Sequence, residues 1–288
     1  MSDWMPCRAR RTLYERRSAL SADAPAGHRF DLRALIDEAD LPDRVELVWH
    51  GINDRANLRH FLASPVRWGE CDVRRDPQGR LALRHDAFDG TVDPAPGAGP
   101  ARPLMVDEFL RVALAEGKGI KLDIKQRDVA DELLALVGRS GVSGDELWFN
   151  GRVDVLGEDG FRHLRRAWPA ATVQCPIDVF APVIVAAPDR ARAALGEMAA
   201  WGLDRFSLAW DTSPMAVLLD HLDQWGHDVN LYAVENLDEF LRAVMLLPRS
   251  VTADFNFPEW HYFGRGAGRD GRYHRYHLDP APTAADVA

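Results

Sequence analysis

Six ionisable residues stand at or near the ends of short apolar segments, where such residues are rarely placed unless they meet. They are His50, Glu70, Asp72, His85, Asp123 and Lys125. Carboxylate oxygens suit hard divalent ions, so the three acidic residues predict a metal site, with Mg²⁺ the expected ion and Ca²⁺ the alternative. Two histidines beside such an ion would transfer protons near neutral pH. The set therefore indicates acid–base chemistry at a metal centre.

Each of these fragments is ambiguous when it is taken alone. In "GKGIKLDIK", Lys121, Asp123 and Lys125 alternate with aliphatic residues, so the three charges share one face of an extended strand. That face either meets water, as in a salt-bridged outer strand, or lines the inside of a closed barrel. Likewise, His50 alone is typical of a satisfied buried histidine, and "GECDV" and "RHD" alone fit solvated charges. Four such fragments together favour one joint site.

The segments that carry these residues alternate between strands and helices. The predicted strands are 44–50, 67–73, 119–125, 146–150, 171–177, 205–210, 229–234 and 250–256. The predicted helices are 54–64, 105–116, 128–139, 159–168, 189–201, 213–225 and 236–247. Residues 80–86 follow a "DPQG" turn and predict a hairpin arm after the second strand. Eight strands alternating with helices predict a single (β/α)₈ TIM barrel, an α/β fold.

A doubly wound open sheet is the rival fold, but the sequence has no G-x-G-x-x-G after its first strand and no phosphate-binding loop. In a (β/α)₈ barrel the active site lies at the C-terminal ends of the strands, where the candidate residues fall. The barrel is expected over 44–263. Residues 1–43 are expected to form an extension that packs on the barrel, 89–103 a surface loop, and 264–288 a flexible tail.

The bulk composition is that of an ordinary globular protein. The chain has 288 residues, of which 47% are hydrophobic and 27% charged. A net charge of −9 argues against a nucleic-acid partner, although a local cationic pocket would still accept a phosphate. Three widely spaced cysteines indicate neither a disulfide framework nor a zinc site. We find no secretory signal and no membrane span, so a cytoplasmic location is expected.

The strand-end motifs resemble those of a known superfamily. "WHGIN" (49–53), "GECDV" (69–73), "LRHD" (83–86) and "GIKLDIK" (119–125) are similar to segments of the phospholipase-C-like phosphodiesterases, which include glycerophosphodiester phosphodiesterases and sphingomyelinase D. The closer resemblance is to the menorin family, through the same segments and "LWFNGRVDV" (147–155). It spans roughly residues 44–260 and is strongest at the strand ends.

This resemblance implies metal-dependent cleavage of a small phosphodiester or lysophospholipid-like substrate. The product would form by hydrolysis or through a cyclic phosphate. Carried over residue by residue, the implied roles are metal ligands for Glu70, Asp72 and Asp123, an acid/base pair for His50 and His85, and a phosphate contact for Lys125. Two departures stand out. Gly51 replaces the arginine that follows the first histidine in glycerophosphodiesterases, and Asp86 replaces the proline that follows the second histidine in menorin-type sequences.

Four further residues are candidates for contact with the substrate. Asn53 and Asn150 either orient the metal site or only cap turns. Trp210 either stacks on the substrate or fills the core. Lys121 lies deeper than Lys125 and either contacts the substrate or serves as a charge partner for the carboxylates. The rival functions are a barrel that binds a phosphorylated ligand or lipid headgroup without turnover, and a metal-independent sugar or acid enzyme on the same fold.

Overall fold

The computed structural model describes residues 45–64, 66–88, 103–234, 237–253, 255–256, 261–265 and 273–276. The predicted extension over 1–43 lies outside these residues, as do nearly all of the predicted loop over 89–103 and most of the predicted tail over 264–288. The predictions for these segments therefore stay predictions.

Eight parallel strands close into a barrel, which confirms the predicted (β/α)₈ fold. The strands are β1 (Glu46–Trp49), β2 (Trp68–Arg75), β4 (Gly119–Ile124), β5 (Leu147–Gly151), β6 (Thr172–Pro176), β7 (Arg205–Ala209), β8 (Asp228–Val234) and β9 (Ser250–Ala253). Each pairs with the next, and β1 closes the barrel by pairing with both β2 and β9. All eight strands therefore overlap the predicted segments. The last one is shorter than predicted, because β9 ends at Ala253 and residues 255–256 of the predicted strand belong to a different sheet.

A hairpin arm follows β2, as predicted. Strand β3 (Leu81–Leu83) pairs antiparallel with the end of β2, with Val73 opposite Leu83. Asp76 closes the turn, because its carboxylate accepts hydrogen bonds from the backbone N–H groups of Gln78 and Arg80 at 2.9 and 2.8 Å. This arm carries His85 back to the C-terminal end of the barrel.

Eight described α-helices accompany the strands. They are α1 (Arg55–Ala63), α2 (Val106–Ala115), α3 (Ala130–Ser140), α4 (Val153–Ala167), α5 (Ala181–Ala186), α6 (Pro188–Ala199), α7 (Met215–Gln224) and α8 (Leu237–Met245). Their apolar faces cover the barrel; in α2, for example, Val106, Phe109, Leu110 and Ala113 are buried at helical spacing. None of the described helices has both the length and the apolar character that a membrane span requires.

Two helices differ from the sequence prediction. Helix α4 begins six residues earlier than predicted. This start was not predicted because Gly157, with φ 60° and ψ −179°, interrupts the helical pattern in the first turns of α4. Helix α5 was not predicted, since its six-residue segment "APVIVA" is too short to show a helical period. Beyond the barrel, β10 (Phe255–Asn256), β11 (His261–Arg265) and β12 (Tyr273–Tyr276) form a separate antiparallel sheet.

The main core lies between the barrel and its helices. On β4, Ile120, Leu122 and Ile124 are buried in this core, so the intervening Lys121 and Asp123 face the barrel interior. The face of "GKGIKLDIK" that the sequence could not assign is therefore the inner one. Inside the barrel, Val48, Trp68 and Trp148 form a separate apolar cluster.

Candidate functional site

The strand register places the candidate residues in rows inside the barrel. Asp72, Asp123 and Asn150 are direct partners on β2, β4 and β5, and we call them the carboxylate row. Two residues earlier on the same strands lie Glu70, Lys121 and Trp148, which we call the lower row. Since side chains alternate along a strand, both rows point into the barrel. The carboxylate row lies nearer to the mouth, where barrel active sites form.

Three carboxylates from these rows meet. Glu70, Asp72 and Asp123 each offer an oxygen, and these oxygens lie within 4.8 Å of one another. The three residues are only 2%, 1% and 9% exposed. Buried like charges at this separation repel strongly unless cations compensate them. An all-oxygen, acidic, buried donor set is the kind that holds Mg²⁺ or Ca²⁺, so the residues present fit the predicted ion.

Lys125 lies directly against two of these carboxylates. Its Nζ is 2.9 Å from Asp72 Oδ1 and 2.5 Å from Asp123 Oδ2. Burial alone would lower the pKa of Lys125, but Asp123 and Asp72 outweigh it and hold this pKa above its ordinary value. Burial would likewise raise the pKa of Asp72, yet Lys125 and both histidines bring it below its usual range. Lys125 therefore stays a cation at the centre of the site.

Glu70 is held by the segment that follows β1. Its Oε2 accepts a hydrogen bond from the Gly51 backbone N–H at 2.8 Å and lies 3.5 Å from His50 Nε2. Gly51 has a φ of 68°, a conformation that most other residues adopt only with strain. Burial, followed by the charge of Asp72, raises the pKa of Glu70 from 4.5 to about 7. Gly51, at the position where glycerophosphodiesterases have an arginine, thus contacts a proposed metal ligand through its backbone.

Asn53 positions Asp72 through a pair of hydrogen bonds. Its Nδ2 donates to Asp72 Oδ2 at 2.6 Å, and its Oδ1 accepts from the Asp72 backbone N–H at 3.0 Å. This two-point contact fixes the carboxylate on its strand. Asn53 therefore orients Asp72, and its role at a metal site stays a prediction.

The two histidines flank the carboxylates from different segments. His50 follows β1 directly, and His85 comes from the hairpin arm. His85 Nδ1 lies 2.9 Å from Asp86 Oδ1, so the neighbouring carboxylate orients this ring. Both imidazoles lie near enough to Asp72 to lower its pKa. Asp86, the departure from the menorin pattern, is therefore a partner of the candidate acid/base residue.

Lys121 lies in the lower row, beneath the carboxylates. It is 3% exposed, and its Nζ donates to Thr252 Oγ1 at 3.2 Å and sits 4.6 Å from the centre of the Trp148 ring. Burial lowers the pKa of Lys121 to about 8, while the charges of Glu70 and Asp123 oppose this shift. The placement suits a charge partner of the carboxylates, and contact between Lys121 and a substrate stays a prediction.

Asn150 and Trp210 have partners within the protein. Asn150 Oδ1 accepts a hydrogen bond from Gln174 Nε2 at 2.8 Å, beside Asp123 in the carboxylate row. Trp210 is partly buried against the main core, and its backbone N–H donates to Tyr232 O at 2.7 Å. The substrate contacts that the sequence suggested for both residues stay predictions.

Tyr232, which the sequence did not indicate, forms a second polar pair with Asp178 near the C-terminal ends of β6 and β8. The Tyr232 hydroxyl donates to Asp178 Oδ2 at 2.6 Å, and Asp178 Oδ1 accepts from the Ala209 backbone N–H at 2.7 Å. Tyr232 occupies a position of β8 whose side chain points into the barrel. The alternation of side chains along the strand could have predicted this orientation.

Comparisons with known proteins support the fold. No family model matches the sequence, and no curated protein matches it. Among solved structures, an Oleispira antarctica phosphodiesterase in complex with its product sn-glycerol-3-phosphate is similar at a TM-score of 0.56 and 12% identity, over 77% of this chain and 95% of that one. A glycerophosphodiester phosphodiesterase from Parabacteroides distasonis is similar at a TM-score of 0.54 and 13% identity, over 74% and 94%.

A calcium-dependent phosphoinositol-specific phospholipase C from a Pseudomonas species is similar at a TM-score of 0.52 and 10% identity, over 78% of this chain and 95% of that one. At such low identity these likenesses establish the barrel fold alone, and the resemblance to the phospholipase-C-like phosphodiesterases stays a prediction. The resemblance to the menorin family in particular stays a prediction.

Proposed function

We propose that this protein is a metal-dependent phosphodiesterase that cleaves a small phosphodiester, such as a glycerophosphodiester or a lysophospholipid headgroup. The observation that carries the proposal is the meeting of three buried carboxylate oxygens within 4.8 Å, with His50 and His85 both within electrostatic range of Asp72. The fold-level likeness to glycerophosphodiester phosphodiesterases supports it. Fold alone would not fix a function, so the site carries the argument.

Glu70, Asp72 and Asp123 would hold the ion. A bound Mg²⁺ or Ca²⁺ would supply charge stabilisation to a non-bridging phosphate oxygen as the P–O bond breaks. Asn53 fixes the orientation of Asp72 through its two hydrogen bonds. The chain thus provides both the ligands and the contacts that keep one of them in place.

His50 and His85 would move the protons. One imidazole takes the proton from the attacking hydroxyl, and the other gives a proton to the leaving alkoxide. Where the substrate carries a hydroxyl beside its phosphate, that hydroxyl is the proposed nucleophile and a cyclic phosphate the first product. Lys125, held as a cation between Asp72 and Asp123, would contact a second phosphate oxygen.

The test is turnover of glycerophosphodiesters and lysophospholipids with Mg²⁺ or Ca²⁺ and after chelation. We expect Asp123→Ala to lower kcat/KM by more than about 100-fold, because the loss of a ligand exceeds the usual cost of losing a residue behind one. Asp131→Asn is the matched control, since Asp131 is an exposed acid on α3 that pairs with His163 on the outer surface. Activity unaffected by Asp123→Ala or by chelation would rule out the metal mechanism. Ion and phosphate binding without turnover would instead identify a binding protein.

A further inference from the structure

A third row of side chains continues the strand register one step beyond the carboxylate row. Arg74, Lys125 and Arg152 lie two residues after Asp72, Asp123 and Asn150, respectively, and we call them the upper row. Arg74 lies on β2, and Lys125 and Arg152 directly follow β4 and β5, so the alternation of each strand, extended by one residue, directs the three cations toward the mouth of the barrel. Arg74 and Arg152 both lie within electrostatic range of Asp123. Of this row, only Lys125 was a candidate site residue from its sequence pattern.

The three cations differ in whether they already form ion pairs with carboxylates of the protein. Lys125 Nζ contacts both Asp72 and Asp123. Arg152 pairs through two of its nitrogens with Asp154, each at 2.8 Å, and its side chain is 67% exposed. Both side chains therefore already pair with carboxylates, and a phosphate oxygen at Lys125 would share that cation with Asp72 and Asp123.

Arg74 is the upper-row cation with an open donor edge. It is half-buried, and its Nε donates to the His85 backbone carbonyl at 2.7 Å. Its two terminal nitrogens make no hydrogen bond or ion pair with any residue that the structure describes. A guanidinium fixed through Nε presents those two nitrogens as a planar fork, which matches two oxygens of a phosphate.

We propose that Arg74 binds two non-bridging oxygens of the substrate's phosphate beside His85. This inference rests on the proposed function and assigns the site an anionic phosphodiester rather than a neutral ester. The charges agree with it. The carboxylates of Glu70, Asp72 and Asp123 are formally balanced by Lys121, Lys125 and Arg74, so a divalent ion would leave a surplus of two positive charges. Loss of Arg74 would halve that surplus.

A purely structural role makes a different prediction. If Arg74 only ties β2 to the hairpin arm through the His85 carbonyl, its replacement would lower the melting temperature and leave phosphate affinity unchanged. Arg80 provides a matched control on the same hairpin. It pairs with the buried Asp76 at 2.7 Å within the turn, away from the upper row.

The experiment compares wild type, Arg74→Gln, Arg74→Lys and Arg80→Gln in the presence of Mg²⁺. Calorimetry measures binding of inorganic phosphate and of sn-glycerol-3-phosphate, and steady-state kinetics separates KM from kcat. We expect Arg74→Gln to weaken binding of both anions by about 10- to 100-fold, as expected for charge-assisted hydrogen bonds, and to raise KM. Arg74→Lys should recover only part of the loss, since an ammonium cannot form the fork. Arg80→Gln should melt earlier and bind phosphate like wild type.

Each outcome supports or overturns the inference about Arg74, and two of them separate it from the proposed function. Unchanged phosphate affinity and KM in Arg74→Gln would overturn the inference, as would a wild-type protein that binds neither anion. If wild type binds phosphate through Arg74 but cleaves no diester in a broad panel, the proposed function fails while the inference stands. If wild type cleaves diesters and Arg74→Gln does so with the same KM, the proposed function stands and the inference fails.

Discussion

The raised pKa of Glu70 should make ion binding depend on pH. Burial and Asp72 raise this pKa from 4.5 to about 7, so keeping Glu70 ionised without an ion costs about 3 kcal/mol. An ion that binds the ionised carboxylate must displace the proton below pH 7. At pH 6 about nine-tenths of Glu70 is protonated, so we expect affinity about tenfold weaker than at pH 8, with about 0.9 proton released per ion.

Calorimetry with Mn²⁺ or Mg²⁺ in two buffers of different ionisation enthalpy measures both the affinity for the ion and the number of protons released per ion. Glu70→Gln should abolish the proton release, whereas His50→Gln should keep it, which identifies the carboxylate as the source. Without the ion the same shift affects folding. Protonated Glu70 contributes to the free energy of unfolding fully below pH 4.5. This contribution is lost as the pH rises through about 7, because the folded protein favours the protonated form of Glu70. Equal affinity at pH 6 and pH 8 with no proton release would refute this reasoning.

Two further predictions test packing and the orientation of a histidine. Gly119→Ala should destabilise the fold by about 1–3 kcal/mol, because the added Cβ would lie 2.6–2.9 Å from atoms of the Trp68 ring. Gly138→Ala, in α3 with open space around the added Cβ, should instead stabilise the fold by about 0.5–1 kcal/mol. Urea denaturation measures the free energy of unfolding of both variants, and equal changes in the two would contradict this prediction. Asp86→Asn should lower kcat by less than His85→Gln, whose loss is about 10²- to 10⁴-fold, since the amide still orients the ring without a charge. Steady-state kinetics of the two variants would contradict this if Asp86→Asn were the more damaging.

The strands of this fold could be predicted because their chemistry is local. Alternating or continuous apolar runs bounded by turns define all eight barrel strands, and the turn at Asp76 defines the hairpin arm. The helix α5 and the early start of α4 could not be predicted, because one is too short for a period and the other is broken at Gly157.

The candidate site could be predicted only in part. Alternation groups Lys121, Asp123 and Lys125 on one face but gives no sign of which face is inward, since that depends on pairing with β2 across about 50 residues. Arg74 shares the parity of Glu70 and Asp72, so the same rule could have identified it. Its adjacency to His85 depends on the hairpin returning along β2, which is a tertiary contact.

The lower part of the barrel explains how so many charges can lie inside it. Lys121 and Arg205 both face the Trp148 ring, at 4.6 and 4.2 Å, and Arg205 also pairs with Glu46 at 2.8 Å. Aromatic faces stabilise desolvated cations, so these two buried cations have a partner besides the carboxylates of the candidate site. Because Trp148 neighbours Lys121 in the register, it fixes the cation that lies beneath Asp123. The cation beneath the carboxylates is therefore positioned by an aromatic side chain of its own row.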